Sequence, residues 1–291
     1  MTMQPYFNAF HRAILLEDNQ HYSIVREVRE EVMSNFRSAN AVSREWTFQT
    51  YNWGSYAMGT GIRPLAGLEY DVDLGLVFNV RPDEMDSQLL KESVYKRLIS
   101  SGYRPEWKRP CLSLAFNGFH IDMSVCSREG GRLFLAEGKQ HDGRARWRPD
   151  GMEWFVQMIS SHPNPTDSQQ FRRVVRYLKR WKDVHFGSDG MKGPVGLALT
   201  VMAYHWFPTN CDDLGALRTI VRNAITYFSN GNLALKFPYE PSDDLLRKMS
   251  RDQVLQMLGR FRMLGAWLDN AATYQRPDYL VQAFGSDFPA Y

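Results

Sequence analysis

Cysteine is scarce in this chain: Cys111, Cys126 and Cys211 are the only three in 291 residues. Their number is odd, their spacing is wide, and no Cys-x-x-Cys pair or zinc-ligand cluster occurs, so a structural zinc is not expected. The pattern fits free thiols in a reducing cytosol, and a cytoplasmic protein is expected. Long apolar runs are missing as well. No stretch approaches the roughly 20 apolar residues of a membrane span. Met1–Asn19 carries charges and His11 in place of the apolar core of a signal peptide or anchor. Neither sign of charge dominates: 35 Lys and Arg stand against 32 Asp and Glu, a net charge of +3. That is too little to mark the whole molecule as a nucleic-acid binder, so any basic function must come from a local patch, and stable binding of double-stranded nucleic acid is not expected. The seven histidines show no metal-ligand spacing, and the Gly-Lys-Ser/Thr ending of a P-loop is absent. No repeat or low-complexity tract is present.

What is present is periodicity, and its period changes along the chain. Val25, Val28 and Val32 recur at helical steps among Arg26, Arg29, Glu30 and Glu31. From Trp46 to about Val125 the reading is strand-rich. Val72, Leu74, Leu76 and Phe78 alternate with Asp71, Asp73, Gly75 and Val77. Arg81-Pro82-Asp83 breaks that strand, and a helix follows with Leu90, Val94 and Leu98 on one face, ending at Gly102. Leu112, Leu114 and Phe116 alternate up to Asn117-Gly118, and Phe119 to Val125 alternates again. That is a two-residue hairpin signal in which both turn residues are expected at positive φ. Glu129 to Pro149 is rich in Gly and Arg and reads as a loop. From Met152 onward the texture is helical: Phe171, Val174, Val175, Leu178 and Trp181 form an apolar stripe, and Leu197–Phe207 and Val254–Trp267 read as further helices. The expected fold is α+β, with a catalytic lobe over 1–150 and a helical lobe over 151–291.

The acidic residues of the strands carry the chemistry. On a strand, positions i and i+2 share a face, so Asp71 and Asp73 project together while Val72 and Leu74 face the other way. Asp122 alternates with Ile121, Met123 and Val125 and points to a polar side. Adjacent carboxylates repel, and a fold that keeps them together usually supplies a cation. Three strand-borne carboxylates make a hard-oxygen site suited to magnesium. An isolated Asp-x-Asp is more often a solvated face. The upstream run Trp53-Gly54-Ser55-Tyr56-Ala57-Met58-Gly59-Thr60-Gly61-Ile62-Arg63-Pro64 shifts the balance. Its glycines and small hydroxyl residues suit a turn whose backbone N–H groups cradle phosphate.

Gly-Ser, then Asp-x-Asp about sixteen residues later, then a lone Asp on a later strand resembles the polymerase-β-like nucleotidyltransferase superfamily. Gly54 to Pro64 followed by Tyr70-Asp71-Val72-Asp73-Leu74-Gly75-Leu76-Val77-Phe78 resembles, more narrowly, the bacterial CD-NTases, relatives of cyclic GMP-AMP synthase and oligoadenylate synthetase. Tyr177-Leu178-Lys179-Arg180-Trp181-Lys182 resembles the family's basic spine helix, and the likeness runs to about residue 270. It implies a polymerase-β-like core with a helical C-terminal lobe and an active site in the cleft between them. It also implies a two-Mg²⁺ mechanism, with Mn²⁺ as a substitute. Asp71 and Asp73 would hold the ion that grips the triphosphate. With Asp122, the implied general base, they would hold the ion that activates the attacking hydroxyl. Ser55 and the Gly54 backbone would contact the β- or γ-phosphate, and Lys179 and Lys182 the triphosphate. The product would be a cyclic di- or trinucleotide second messenger in anti-phage (CBASS) defence, read by a nucleotide-gated effector, with a regulatory protein as a further implied partner. Where some relatives carry a Ser-Tyr pair that meets phosphate and stacks on base, this chain has Gly193-Pro194-Val195-Gly196. Other readings are a transferase with a linear oligonucleotide, RNA-end, antibiotic or protein acceptor, and a catalytically silent nucleotide-binding module.

Several residues stand outside that pattern. Arg172, Arg176, Lys179 and Arg180 fall opposite the apolar stripe of their helix, and Arg172 and Arg173 are expected on a solvated face. Arg63 could contact phosphate, or could pair with Glu69 or another acidic residue. His120 is expected as a structural neighbour of the third carboxylate, and Cys126 is not expected as a nucleophile. In Lys236–Asp244 the expectation is a loop with Ser242 as a helix N-cap.

Overall fold

The computed structural model of the chain describes residues 2–16, 20–38, 47–141, 145–161, 165–187 and 191–289. In chain order the elements are α1 (Gln4–Ile14), α2 (Gln20–Ser38), β1 (Phe48–Asn52), α3 (Gly54–Ala57), β2 (Tyr70–Phe78), α4 (Ser87–Ser100), β3 (Glu106–Trp107), β4 (Leu112–Phe116) and β5 (Phe119–Glu129). There follow β6 (Arg132–Glu137), β7 (Arg146–Asp150), α5 (Met152–Ser160), α6 (Pro165–His185), α7 (Gly196–Trp206), α8 (Asp213–Ser229), α9 (Arg251–Tyr274) and α10 (Asp278–Phe284). They form two compact units. One comprises 17–58 and 64–157; the other comprises 1–16, 59–63 and 158–291. The division thus differs from a single cut near residue 150. The first helix and the five residues 59–63 belong with the helical unit.

The mixed unit is built on one sheet in the order β1-β2-β5-β4-β3, with β6 paired to β5 and β7 to β6. The pairing of β2 with β5 is parallel and the others are antiparallel. One face meets α2 and α4 in a core that includes Val32, Phe36, Leu90, Val94 and Leu98 from the helices. Val72, Leu74, Leu76, Ile121, Met123 and Val125 fill it from the strands. The alternation read in the sequence therefore places the period-2 apolar positions on the face buried under helices. Val28 packs on this core as expected; Trp46 and the side chain of Val25 lie outside the described residues. Asp86 starts α4 by accepting from the backbone N–H groups of Gln88 and Leu89, a standard N-cap.

The other face carries a smaller apolar cluster of Trp53, Val77, Cys126, Leu133 and Leu135. It corrects the expected loop over 129–149. Leu133 and Leu135 alternate onto this cluster as β6, and Gly130 and Gly131, both at positive φ, make the turn that brings β6 back along β5. The Asn117-Gly118 hairpin forms, pairing Phe116 with Phe119, but only Gly118 takes a positive φ. The turn is not the doubly left-handed type expected.

The helical unit is held by aromatic side chains. Phe7 and Phe10 of α1 pack on Tyr177 of α6 at ring-centroid separations of 5.2 and 5.1 Å, and Phe10 packs on Phe284 at 4.9 Å. The expected stripe of α6 is buried throughout, Phe171 to Trp181. Its polar side is not the solvated face expected for Arg172 and Arg173. Arg173 grips the buried Asp213 through two bonds of 2.9 Å, and Tyr177 and Gln170 donate to the same carboxylate. Burial alone would raise the Asp213 pKa, but Arg173 and the other donors hold it below the usual carboxylate value. The helix after Lys236–Asp244 is capped by Ser250 in a capping box with Gln253, not by Ser242, which instead bonds Glu240. No described helix is long and apolar enough to cross a membrane.

A pH prediction arises here. His11 Nε2 lies 2.8 Å from Arg176 Nη1. Burial first, then the Arg176 and Arg173 charges, push His11 down from 6.5 to about 4, against a smaller opposing pull from Asp213. Neutral His11 can accept from Arg176; protonated, it cannot. From about pH 6.5 down to about 4 the unfolded chain holds a proton that the folded chain lacks. The stabilising contribution is therefore complete above about 6.5 and drains away as pH falls toward 4. The urea midpoint is expected to fall more between pH 7 and 5 in the wild type than in His11→Gln. Equal losses would refute the assignment.

Candidate active site

Two glycines fix the turn after β1 onto strand β2. Trp53 N–H donates to the Asp73 carbonyl at 2.9 Å. The Trp53 ring lies so close to Gly75 that a Cβ there would sit 2.4 Å from Cζ2. Gly54 follows at φ +61°, and a Cβ on it would stand 1.8 Å from Asp73 Oδ2. Only glycine tolerates both that conformation and that approach. The Asp73 carboxylate is thereby seated against the backbone of the Gly-rich turn, and half-buried Ser55 is the next residue. The Gly75 contact carries no sequence signal beyond a strand-interior glycine, which often marks a close approach.

The parallel pairing sets Asp73 directly beside Asp122, and Asp71 beside His120. Aligned positions on adjacent strands lie roughly 4.8 Å apart and face the same way. The face that is apolar at Val77 and Cys126 thus becomes acidic at Asp73, Asp71 and Asp122. The three sequence-predicted carboxylates share one sheet face, as alternation requires. Asp71 is exposed, Asp73 half-buried, and the Asp122 side chain 17% exposed. His120 pairs through Nδ1 with Glu69 at 3.2 Å, the structural neighbour expected.

Asp122 has further company that the sequence reading missed. Lys108 Nζ lies 3.3 Å from its Oδ1, and the buried Cys111 thiol is near enough to feel its charge. Burial works against the Lys108 charge, but Asp122 and, more weakly, Asp71 outweigh it, and its pKa stands above the ordinary lysine value. Burial, then the Asp122 charge, push the Cys111 thiol well up, so it is a poor nucleophile at neutral pH. Cys126, fully enclosed, is pushed up by burial likewise. A signal for Lys108 existed. Counting back from the Asn117-Gly118 turn sets Ser113 opposite Asp122, which brings the segment just before β4 alongside the third carboxylate.

Among the described residues no three His, Cys, Asp or Glu side chains converge as a metal-binding group. The resemblance implies a metal site that is completed only when the nucleotide's phosphates join Asp71, Asp73 and Asp122, so an open arrangement of the three accords with it. The acids are gathered on one face but not drawn together, because like charges repel and Asp122 takes its countercharge from Lys108. Their chemistry still suits a hard divalent ion. All donors are carboxylate oxygens, two come from one strand, and one is seated by Gly54.

Lys179 and Lys182, expected at the triphosphate, belong to the helical unit. Lys179, 9% exposed, donates from Nζ to the Thr60 carbonyl at 3.0 Å and to Thr60 Oγ1 at 3.2 Å. Lys182 Nζ lies 3.0 Å from Asp183. Arg176 and Arg180 are buried too. Arg176 donates to the Gly59 and Gly61 carbonyls, and Arg180 to that of Arg63. The basic helix therefore clamps the backbone of 59–63. Arg63 donates to the Ala13 carbonyl at 2.6 Å and stands 3.9 Å from Asp287, so it pairs with an acidic residue other than Glu69. The Gly193–Gly196 stretch leads into α7, whose N-cap, Val195, supplies no side-chain bond.

Residues 1–144 match the family model described as the Second Messenger Oligonucleotide or Dinucleotide Synthetase domain. A cyclic GMP-AMP synthase of Escherichia albertii is 27% identical over 159 residues, 51% of this chain and 35% of that protein. A c-di-GMP synthase of Roseivirga ehrenbergii is 22% identical over 225 residues, 68% of this chain and 60% of that protein. The matched regions thus span from about a third to three fifths of these curated relatives. In fold, the chain is similar to the Bradyrhizobium diazoefficiens CD-NTase CdnG in complex with GTP, with a TM-score of 0.78 at 16% identity, covering 96% of this chain and 94% of that one.

Proposed function

We propose that this chain, which belongs to the CD-NTase family, is a nucleotidyltransferase that joins NTPs into a cyclic di- or trinucleotide second messenger. The observation that carries the reading is the arrangement of Asp71, Asp73 and Asp122 on one face of the parallel pair β2–β5, with Gly54 pressed against Asp73. Asp71 and Asp73 would hold Mg²⁺ with the triphosphate, and Asp122 would share in a second ion. When bound, the ions supply the positive charge that offsets the triphosphate and favours the alkoxide. The remaining work falls to the chain. Ser55 and the Gly54 backbone hold the β- or γ-phosphate. Asp122 accepts the proton of the acceptor hydroxyl. The hydroxyl oxygen bonds to the α-phosphorus, the α–β phosphoanhydride bond breaks, and pyrophosphate departs with its electron pair. A second transfer within the linear product closes the ring. The product would act on a nucleotide-gated effector in anti-phage defence.

Pyrophosphate release from each NTP, alone and in pairs with Mg²⁺, tests the transferase reading. Release that depends on Mg²⁺ and on Asp71 and Asp73 is expected. Nucleotide binding without release under Mg²⁺ or Mn²⁺ would favour the silent module.

A further inference from the structure

The segment that brings Lys108 to Asp122 is anchored from within the fold by a second lysine. Lys91 of α4 is 1% exposed. Its ammonium donates to the carbonyls of Lys108 at 2.8 Å, Arg109 at 2.9 Å and Gly138 at 3.3 Å, and lies 5.1 Å from the centroid of the Trp107 ring. Trp107 Nε1 donates to the same Gly138 carbonyl at 2.9 Å. Lys108 N–H bonds the Cys111 carbonyl, and Gly138 N–H that of Arg109, each at 3.0 Å. A buried ammonium is costly unless its donors are met. Here three carbonyls meet all three, and in return they fix the backbone from Trp107 to Cys111. That fixed turn presents the Lys108 ammonium to Asp122 from one flank, while Asp73 stands on the other.

The two lysines differ in what they can do. Lys91 is locked. Lys108 is 33% exposed in its side chain and makes its ion pair through a long flexible stem, so it can move out to solvent without disturbing the turn. An ammonium and a divalent cation seek the same oxygen of Asp122, and the two charges repel.

We infer that Lys108 is a built-in counter-cation for the acidic face. It is a positioning residue that holds Asp122 in place, is displaced when a divalent ion enters with nucleotide, and so sets the cation concentration at which the site fills. The inference rests on the reading of Asp71, Asp73 and Asp122 as metal-binding carboxylates. Removing the competing charge raises cation affinity, whereas a residue needed only for folding would lower it.

The test is Mn²⁺ binding, followed by the electron paramagnetic resonance signal of free Mn²⁺ with a non-hydrolysable NTP analogue present. Wild type, Lys108→Met, Lys108→Arg and Asp71→Ala/Asp73→Ala are compared. Lys108→Met keeps the stem and is expected to tighten Mn²⁺ binding about tenfold, the scale for losing one nearby charge in a partly solvated site. Lys108→Arg should stay near wild type, and the double variant should lose nucleotide-dependent binding. Unchanged or weaker binding in Lys108→Met, with wild-type binding intact, overturns the counter-cation role alone. No nucleotide-dependent Mn²⁺ binding in wild type or Lys108→Met overturns the metal-binding reading, and the counter-cation role with it.

Discussion

Asp73→Asn is expected to lower pyrophosphate release at least about 10³-fold, the scale for losing one member of a catalytic unit. The melting temperature should move by no more than about 2–4 °C. Asparagine keeps the volume that sits against Gly54, and the bond from Trp53 N–H goes to the Asp73 backbone carbonyl, which the change leaves intact. What is lost is one negative charge and one anionic oxygen donor. Rate and stability should therefore separate. A loss of less than about tenfold would remove Asp73 from the reacting centre and leave the acidic face as solvated decoration.

Gly54→Ala probes the same seat from the other side. The added Cβ would lie 1.8 Å from Asp73 Oδ2, 2.6 Å from Cγ and 3.1 Å from Cβ, at a φ of +61°. Swinging the carboxylate away relieves the first two contacts only, so either the turn or the strand must also give. A misplacement on the order of 1 Å in a reacting group costs about 10²-fold in rate, and the left-handed backbone costs a further 1–2 kcal/mol or so in stability. Gly67→Ala is the control. Gly67 has φ +80°, but a Cβ there meets nothing within 4 Å. It should pay the backbone strain and keep its activity, measured as pyrophosphate release beside urea unfolding. Equal rate losses in the two variants would mean that the Gly54–Asp73 contact has no special role.

The acidic face was legible because it depends on period alone. Asp71, Asp73 and Asp122 follow from alternation, and the Asn117-Gly118 turn fixes the hairpin that carries Asp122. The parallel pairing that sets Asp73 beside Asp122 is a long-range choice that alternation does not encode. Strands β6 and β7 were hidden by their surroundings: Gly130 and Gly131 precede the short β6, and β7 sets Trp147 alone among Arg146, Arg148, Pro149 and Asp150. The burial of Arg176, Lys179 and Arg180 was illegible for a different reason. Their acceptors are chiefly backbone carbonyls of 59–63, which every sequence possesses and none advertises. Cationic side chains at helical spacing read as a solvated face unless an acidic partner betrays them. Arg173 had one in Asp213, 40 residues away. Lys91 shows the same effect, a buried cation whose three hydrogen bonds all go to main-chain oxygens.

The claim that the chain makes a cyclic product is tested most directly by the mass of what it makes. Purified protein is incubated with Mg²⁺ and all four NTPs, the mixture is treated with phosphatase, and the surviving nucleotide is analysed by mass spectrometry, with Asp71→Ala/Asp73→Ala alongside. The account predicts a phosphatase-resistant product whose mass equals the sum of its NMP residues, absent from the double variant. A product that phosphatase shortens to free 5′ and 3′ hydroxyl ends would contradict ring closure and leave a linear transferase in its place.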